Sequence, residues 1–497
     1  MKIKFLFAAL LTFLMLPNFL NAQEMPVQRV YRTAEFKEMN NRLMKGWNTT
    51  NTKSVLCHVL MPESFAVNLQ LINRKSGDTL KSAVVGREDF GTKEHVVPSY
   101  RSYDGSYTEL VVEWQGISIK VQSAAKNNRL YLMITPIKSL PGDSVLINPE
   151  MLWGRKGDIL VKNGRIIANT ALGKIELAIV SGHYKASAQN LKISLDKVTV
   201  ISSEPLQTVV EIERIVNASK TKLVAERTKY KDEANTYDAI HSVMAWNTVY
   251  DSMNNRIISP VSRNWATLGW VLFGWDNYFA AYLLSIDNKD LAYANAIAIT
   301  KEITKKGFIP NNSDPSHKSE DRSEPQVGSI MVREIYRKYK ETWFLEEVFD
   351  ELLSWNRWRA ANRDIDGYLV HGSDPYDYGN NKSRSATLSG KMKAAKWESG
   401  MDNSPMWDDA VFDSTSHRML LADVGLMSLF IADCHSLAEI AGILGKKDIV
   451  KELTERGEKY SKKLATLWND EFGLYLNKDL VTGKSSYRLS PTLFYPL

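Results

Sequence analysis

Cysteine is almost missing from this chain: Cys57 and Cys434 are the two in 497 residues. That excludes a disulfide-stapled scaffold. With the pair so far apart in sequence, two free buried thiols are the expected state. No basic stripe is present, because 63 lysines and arginines are dispersed among 57 acidic residues, so a nucleic-acid partner is not expected. The His-Glu-x-x-His zinc motif, the Gly-x-Ser-x-Gly elbow and a Gly-x-Gly-x-x-Gly turn after a strand are all lacking. Gly483-Lys484-Ser485 has no upstream glycine of a phosphate loop and reads as a turn. Zinc, acyl-transfer and nucleotide chemistry are therefore unsupported, and no cofactor or metal is expected. After the first residues no segment reads as long and apolar enough to span a bilayer, which argues against stable membrane insertion.

What is present begins with a short export signal. Lys2 and Lys4 precede an apolar run over residues 5–20, and Asn21-Ala22-Gln23 offers a small residue at the cut. The expected signal peptide is 1–22 and the expected location is outside the cytoplasm, in a periplasm. The net charge of +6 becomes +4 once those two lysines leave. The chain is 44% hydrophobic and 24% charged, proportions of a globular protein with a large core. Thirteen tryptophans and 21 tyrosines are many; such rings suit the apolar faces of sugars, and they also fill cores.

The pattern changes near residue 205. Before it, strand-like segments at 55–60, 65–72, 108–114, 117–121, 130–134 and 175–180 alternate with turn signals such as Asp104-Gly105-Ser106 and Pro141-Gly142-Asp143. Strands joined without intervening helices predict a β-sandwich over 23–204. After it, apolar residues recur at helical spacing over 206–246, with a break at 230–235, then over 278–285, 291–305, 327–340, 343–362, 417–444 and 446–468. This predicts a helical linker over 205–235 and a helical bundle, solenoid or α/α barrel over 236–497.

The loops between these helices carry the candidate chemistry. The densest is Trp397-Glu398-Ser399-Gly400-Met401-Asp402-Asn403-Ser404-Pro405, with Trp407 close behind. Carboxylates between tryptophan walls lie in a low dielectric, which favours a protonated general acid, and Gly400 permits close approach to a ligand. The same residues also read as a helix start, with Asp402 or Ser404 as cap and Pro405 in the first turn. Gly274-Trp275-Asp276-Asn277 offers either another cap or a ring and carboxylate for a sugar. Gly307 to Asn312 and Arg322 to Gln326 bracket a polar loop that presents amides and a guanidinium, or is merely solvated. Arg363-Asp364-Ile365-Asp366-Gly367 resembles the start of a calcium loop, but Tyr368 stands where an oxygen is expected, so a turn is the preferred reading.

Glu398-Ser399-Gly400-Met401-Asp402-Asn403-Ser404-Pro405 resembles the Glu-Ser-Gly-x-Asp-Asn segment of glycoside hydrolase family 63 and its mannosylglycerate-hydrolase-like relatives; trehalases carry a similar Ser-Gly-x-Asp. Trp246-Asn247-Thr248, Ser262-Arg263-Asn264-Trp265, Trp275-Asp276, Gly307 to Asn311 and Arg322-Ser323 recur in the order of that family, and Gly46-Trp47-Asn48-Thr49 sits where its sandwich domain begins. The resemblance implies a β-sandwich packed on an (α/α)6 barrel and inverting hydrolysis of an α-glycosidic bond in an oligosaccharide or small glycoside. It makes Asp402 the general acid and Arg263, Trp275, Asp276, Asn311, Arg322, Trp397 and Glu398 sugar contacts. The family's water-activating Glu lies after the last helix seen here. The expectation is therefore a barrel incomplete at its C-terminal end, with the base absent from the chain. A sugar-binding remnant or truncated product without turnover, and a phosphorylase of similar barrel type, are the alternatives.

Overall fold

The computed structural model describes residues 30–86, 91, 93–204, 207–265, 269–373 and 387–497. The expected signal peptide lies outside them, and so do residues 374–376 of His371-Gly372-Ser373-Asp374-Pro375-Tyr376, which the sequence marks as a further polar loop before the Asp402 segment. Residues from Tyr31 to Leu497 form one compact unit.

Two antiparallel sheets account for the β-rich part. The first runs Gly46–Asn48, Cys57–Met61, Phe65–Ile72, Ser144–Met151, Leu191–Ser194, Tyr184–Ala186, with Thr79–Leu80 attached to its third strand. The second has eight strands, with His95–Arg101 at one edge, Gly157–Lys162 at the other, and Arg129–Lys138 and Ile117–Lys126 paired between them. Val67, Leu69 and Ile147 of the first sheet share an apolar core with Leu110, Val121 and Leu132 of the second. Inward-facing β-branched and leucine side chains at every second position build that core, as the pleat requires. Each of the six expected segments holds a strand, although residues 55 and 56 of the first lie in a turn before Cys57–Met61. The Phe65–Ile72 bounds agree in full, while Arg129–Lys138 runs four residues further than its apolar stretch.

A helix not expected from the sequence, α1 (Ala34–Leu43), precedes the sheets. Thr33 caps it by accepting from the Phe36 N–H. Its Phe36 and Met39 are buried in the core of the helical part, not in that of the sheets. The segment expected to be wholly β thus begins with a strap of the helical region.

The remaining helices are α2 (Val209–Arg227), α3 (Ala234–Asn247), α4 (Gly274–Leu284), α5 (Lys289–Thr300), α6 (Gly328–Tyr339), α7 (Thr342–Asn362), α8 (Leu388–Trp397), α9 (Val424–Ile443) and α10 (Lys447–Ala465). A capping box opens α2, with Thr208 and Glu211 each bonding the other's backbone N–H. The expected break after it is real: residues 228–233 form a 3₁₀ turn in which Lys231 has φ +47°. Ile212 and Val216 of α2 pack on Tyr107, Tyr131 and Val200 of the second sheet.

Helix α9 corrects one reading. By length and composition it is apolar enough to cross a membrane, which no segment after the signal was expected to be. Here Phe430, Cys434 and Leu437 of α9 are buried, and Phe430 meets Tyr460 of α10 edge-on. Both cysteines are free and buried, as expected, and burial pushes each thiol up to about 12.

Candidate active site

The Asp402 loop follows directly from α8. Glu398 closes that helix and is fully buried. Arg363 holds it with a fork: Nε donates to Oε2 at 2.8 Å and Nη2 to Oε1 at 3.1 Å. The backbone N–H of Gly372 donates to Oε2 at 2.7 Å and that of Ser323 to Oε1 at 3.2 Å. The Arg359 guanidinium lies 3.2 Å from Oε2. Burial alone would push this carboxyl up, but Arg363 and Arg359 outweigh it and hold Glu398 at about 2. A carboxylate with every oxygen engaged and no exposed surface has no face to offer a sugar. Glu398, expected as a sugar contact, instead ties α7, α8 and two loops together.

Downstream of this clamp the chain turns at Gly400, where φ is +65°. The Trp407 indole N–H donates to the Met401 carbonyl at 2.9 Å and fixes the turn from below. The cap reading also resolves. Ser404 accepts from the Met406 N–H at the start of the Pro405–Trp407 3₁₀ turn, so Ser404, not Asp402, is the cap. Asp402 is half-buried, and its carboxylate makes no hydrogen bond among the described residues.

Trp275 stands against this turn. A β-carbon at Gly400 would lie 2.3 Å from its Cζ2, so the indole rests where any other residue would project. Gly400 was read as leaving room for a ligand; the room is taken by Trp275. Asp276 sits in the first turn of α4, whose cap position is Phe273, so Asp276 is not a cap. Burial raises its proton affinity above the usual carboxylate range.

Asn311 and Arg322 form the other wall. The Arg322 Nε donates to the Asn311 Oδ1 at 3.2 Å, and its guanidinium lies 4.6 Å from the centre of the Trp397 ring. Trp397 therefore supports the cation with its face and does not stand as a bare wall beside Asp402. Arg263 belongs elsewhere. It is 2% exposed, its Nη2 donates to the Thr49 carbonyl at 2.9 Å, and its backbone N–H donates to the Asn247 amide oxygen. It joins the helical part to the residue that follows the first strand of the first sheet.

The sequence reading missed Glu324. This buried carboxylate receives the Trp275 N–H at 2.7 Å and the Asn311 Nδ2 at 2.5 Å. Its signal was its place between Arg322 and Pro325 in a loop already marked as polar. Asp364, weighed as a calcium ligand, is fully engaged by the Gly367 N–H, Lys459 and Tyr460, as a turn residue would be. A cleft of about 1020 Å³ lies between the second sheet, α2 and α3, beside Tyr103, Tyr230, Tyr237 and His241, and shares no residue with the Asp402 loop.

Residues 270–497 match the family model described as the mannosylglycerate hydrolase MGH1-like glycoside hydrolase domain. The mannosylglycerate hydrolase MGH2 of Selaginella moellendorffii is 30% identical over 108 residues, which are 21% of this chain and 18% of that protein. A family 63 mannosylglycerate hydrolase from Thermus thermophilus, solved with glucose, is 18% identical with a TM-score of 0.40, over 52% of this chain and 72% of that one. A bacterial glucoamylase solved with acarbose is 12% identical with a TM-score of 0.43, over 85% of this chain and 67% of that one. The resemblance read from the sequence is thus borne out over residues 270–497.

Proposed function

We propose that this chain, whose residues 270–497 are of the MGH1-like glycoside hydrolase type, is an exported glycosidase that uses Asp402 as its general acid. The observation that carries the reading is the contrast between two carboxylates four residues apart. Glu398 is locked ionised in a buried clamp, while Asp402 projects half-buried from the adjoining turn with no partner of its own among the described residues. A proton donor must keep its oxygen free for the leaving group, and its position must be fixed by others. The clamp, Trp407 and Trp275 supply that fixity.

In this reading Trp275 presents its ring to the apolar face of a sugar, Asp276 and Asn311 take hydroxyls, and Arg322, braced on Trp397, completes the pocket. The helices follow an (α/α)6 plan, and the two sheets pack as a sandwich domain of the same enzyme. The bond cleaved is α-glycosidic and the outcome is inversion. Inversion requires a second carboxylate roughly 6.5–9.5 Å from Asp402, with a water between them; none is assigned to that role in this chain. A panel of α-linked disaccharides and glycerate glycosides, with products followed by proton NMR, tests the reading. Release of a β-configured sugar is expected. Retention of configuration, or binding without any turnover, is incompatible with it; product formation only in the presence of phosphate would make it a phosphorylase.

A further inference from the structure

Glu324 is the buried acceptor that both walls of the candidate site share. One oxygen receives the backbone N–H of Trp275 at 2.7 Å, and the other receives the Asn311 amide at 2.5 Å. It reaches them because position 274 is glycine; a β-carbon there would stand 2.6 Å from the Glu324 Oε2. The Asn311 amide cannot turn over. Its Oδ1 receives Arg322 Nε, so its Nδ2 must face Glu324 and the Trp397 carbonyl. Arg359, one of the two arginines beside Glu398, donates to the Glu324 backbone carbonyl.

We propose that Glu324 is the positioning residue of the sugar pocket: by accepting from Trp275 on one side and Asn311 on the other, it sets the spacing between the stacking ring and the Asn311–Arg322–Trp397 wall across Gly400 and Asp402. It acts through these residues and does not touch the sugar. Burial, and after it the charge of Asp276, raises its proton affinity well above the usual carboxylate range. An uncharged carboxyl still offers oxygen to both partners, whereas an amide does not. Glu324→Gln keeps the size of the side chain but places an NH₂ against either the Trp275 N–H or the Asn311 NH₂, a donor facing a donor whichever way it turns. Adding Asn311→Asp repairs the contact with residue 324, at the loss of the longer 3.4 Å donation to the Trp397 carbonyl: the new carboxylate accepts from the introduced NH₂ and from Arg322, while the introduced amide oxygen accepts from the Trp275 N–H.

The proposal rests on the glycosidase reading for its purpose but not for its test. The full chain is labelled with 5-fluorotryptophan, and the Trp275 and Trp397 signals are assigned with Trp275→Phe and Trp397→Phe. Glu324→Gln is expected to shift both signals, and Glu324→Gln with Asn311→Asp to return them. Turnover of an α-glycoside substrate should follow the same order, with Glu324→Gln raising KM at least tenfold while kcat changes less. If Glu324→Gln does not fold, recovery of folding and of wild-type signals in the double variant supports the proposal, and its failure to recover overturns it. Unmoved signals in a folded Glu324→Gln, or a double variant no better than the single one, also overturn it. Signals that behave as described in a protein that hydrolyses no glycoside leave Glu324 as the positioning residue and remove the enzymatic reading instead.

Discussion

Gly400 and Trp275 are in contact, with the indole Cζ2 occupying the space into which a side chain at 400 would grow, 2.3 Å from an ideal β-carbon. The positive φ of +65° at Gly400 adds a second reason for glycine. Two segments far apart in sequence are thereby set edge to face, and the Asp402 turn takes its position from an aromatic ring on α4.

Gly400→Ala is accordingly expected to lower stability by about 1–2 kcal/mol, the cost of a left-handed conformation for an L side chain. Its larger effect is on chemistry. The methyl must push Trp275 or the Asp402 turn aside, and a displacement of about 1 Å at reacting groups costs on the order of 10²-fold in rate. Urea unfolding and glycoside turnover measured on the same variant check both parts. A fully active Gly400→Ala would mean that the contact is incidental.

Removing the charge of Glu398 leaves Arg363 and Arg359 buried without their carboxylate. Breaking one side of a buried ion pair costs roughly 3–5 kcal/mol. Glu398→Gln should therefore unfold at markedly lower temperature, even though it keeps the size of the side chain. Thermal denaturation followed by circular dichroism is the measurement. A shift of less than a degree would contradict the clamp.

The same residue predicts an acid limb. Glu398 sits at about 2 in the folded chain against an ordinary 4.5. A depressed carboxyl stabilises the fold fully above the ordinary value, and that contribution disappears as pH falls from 4.5 toward 2. At about 1.36 kcal/mol per pH unit the contribution is at most roughly 3 kcal/mol. Stability measured by denaturant at several pH values should fall over this window in the wild type, and the gap to Glu398→Gln should narrow with it. Parallel curves would assign the acid limb to other groups.

Much of this fold is legible in the sequence because its signals are local. Alternating apolar residues mark Phe65–Ile72, and the kink between α2 and α3 follows from a polar stretch that breaks helical spacing. Helix α1 was missed because its short sequence is mostly polar and its apolar Phe36 and Met39 are matched by a partner surface hundreds of residues away. The same limit governs the site. The motif identified Glu398 and Asp402 as a pair, but only the arrival of Arg363, Arg359 and the Gly372 N–H makes one a structural anchor and leaves the other open. Arg263 carried a persuasive neighbourhood in sequence and lies instead against Thr49. Glu324 offered no signal beyond its place in a polar loop, since its role is defined by one backbone and one side-chain donor from separate segments.

The central claim is that Asp402 gives up the proton, and Asp402→Asn tests it most directly. The amide keeps the shape of the turn and cannot act as an acid. Against α-glycosides with poor leaving groups, kcat should fall at least about 10²-fold with KM little changed and the unfolding midpoint preserved, while a substrate whose leaving group needs no protonation should lose much less. Equal turnover by wild type and Asp402→Asn on the poor leaving groups would contradict the account.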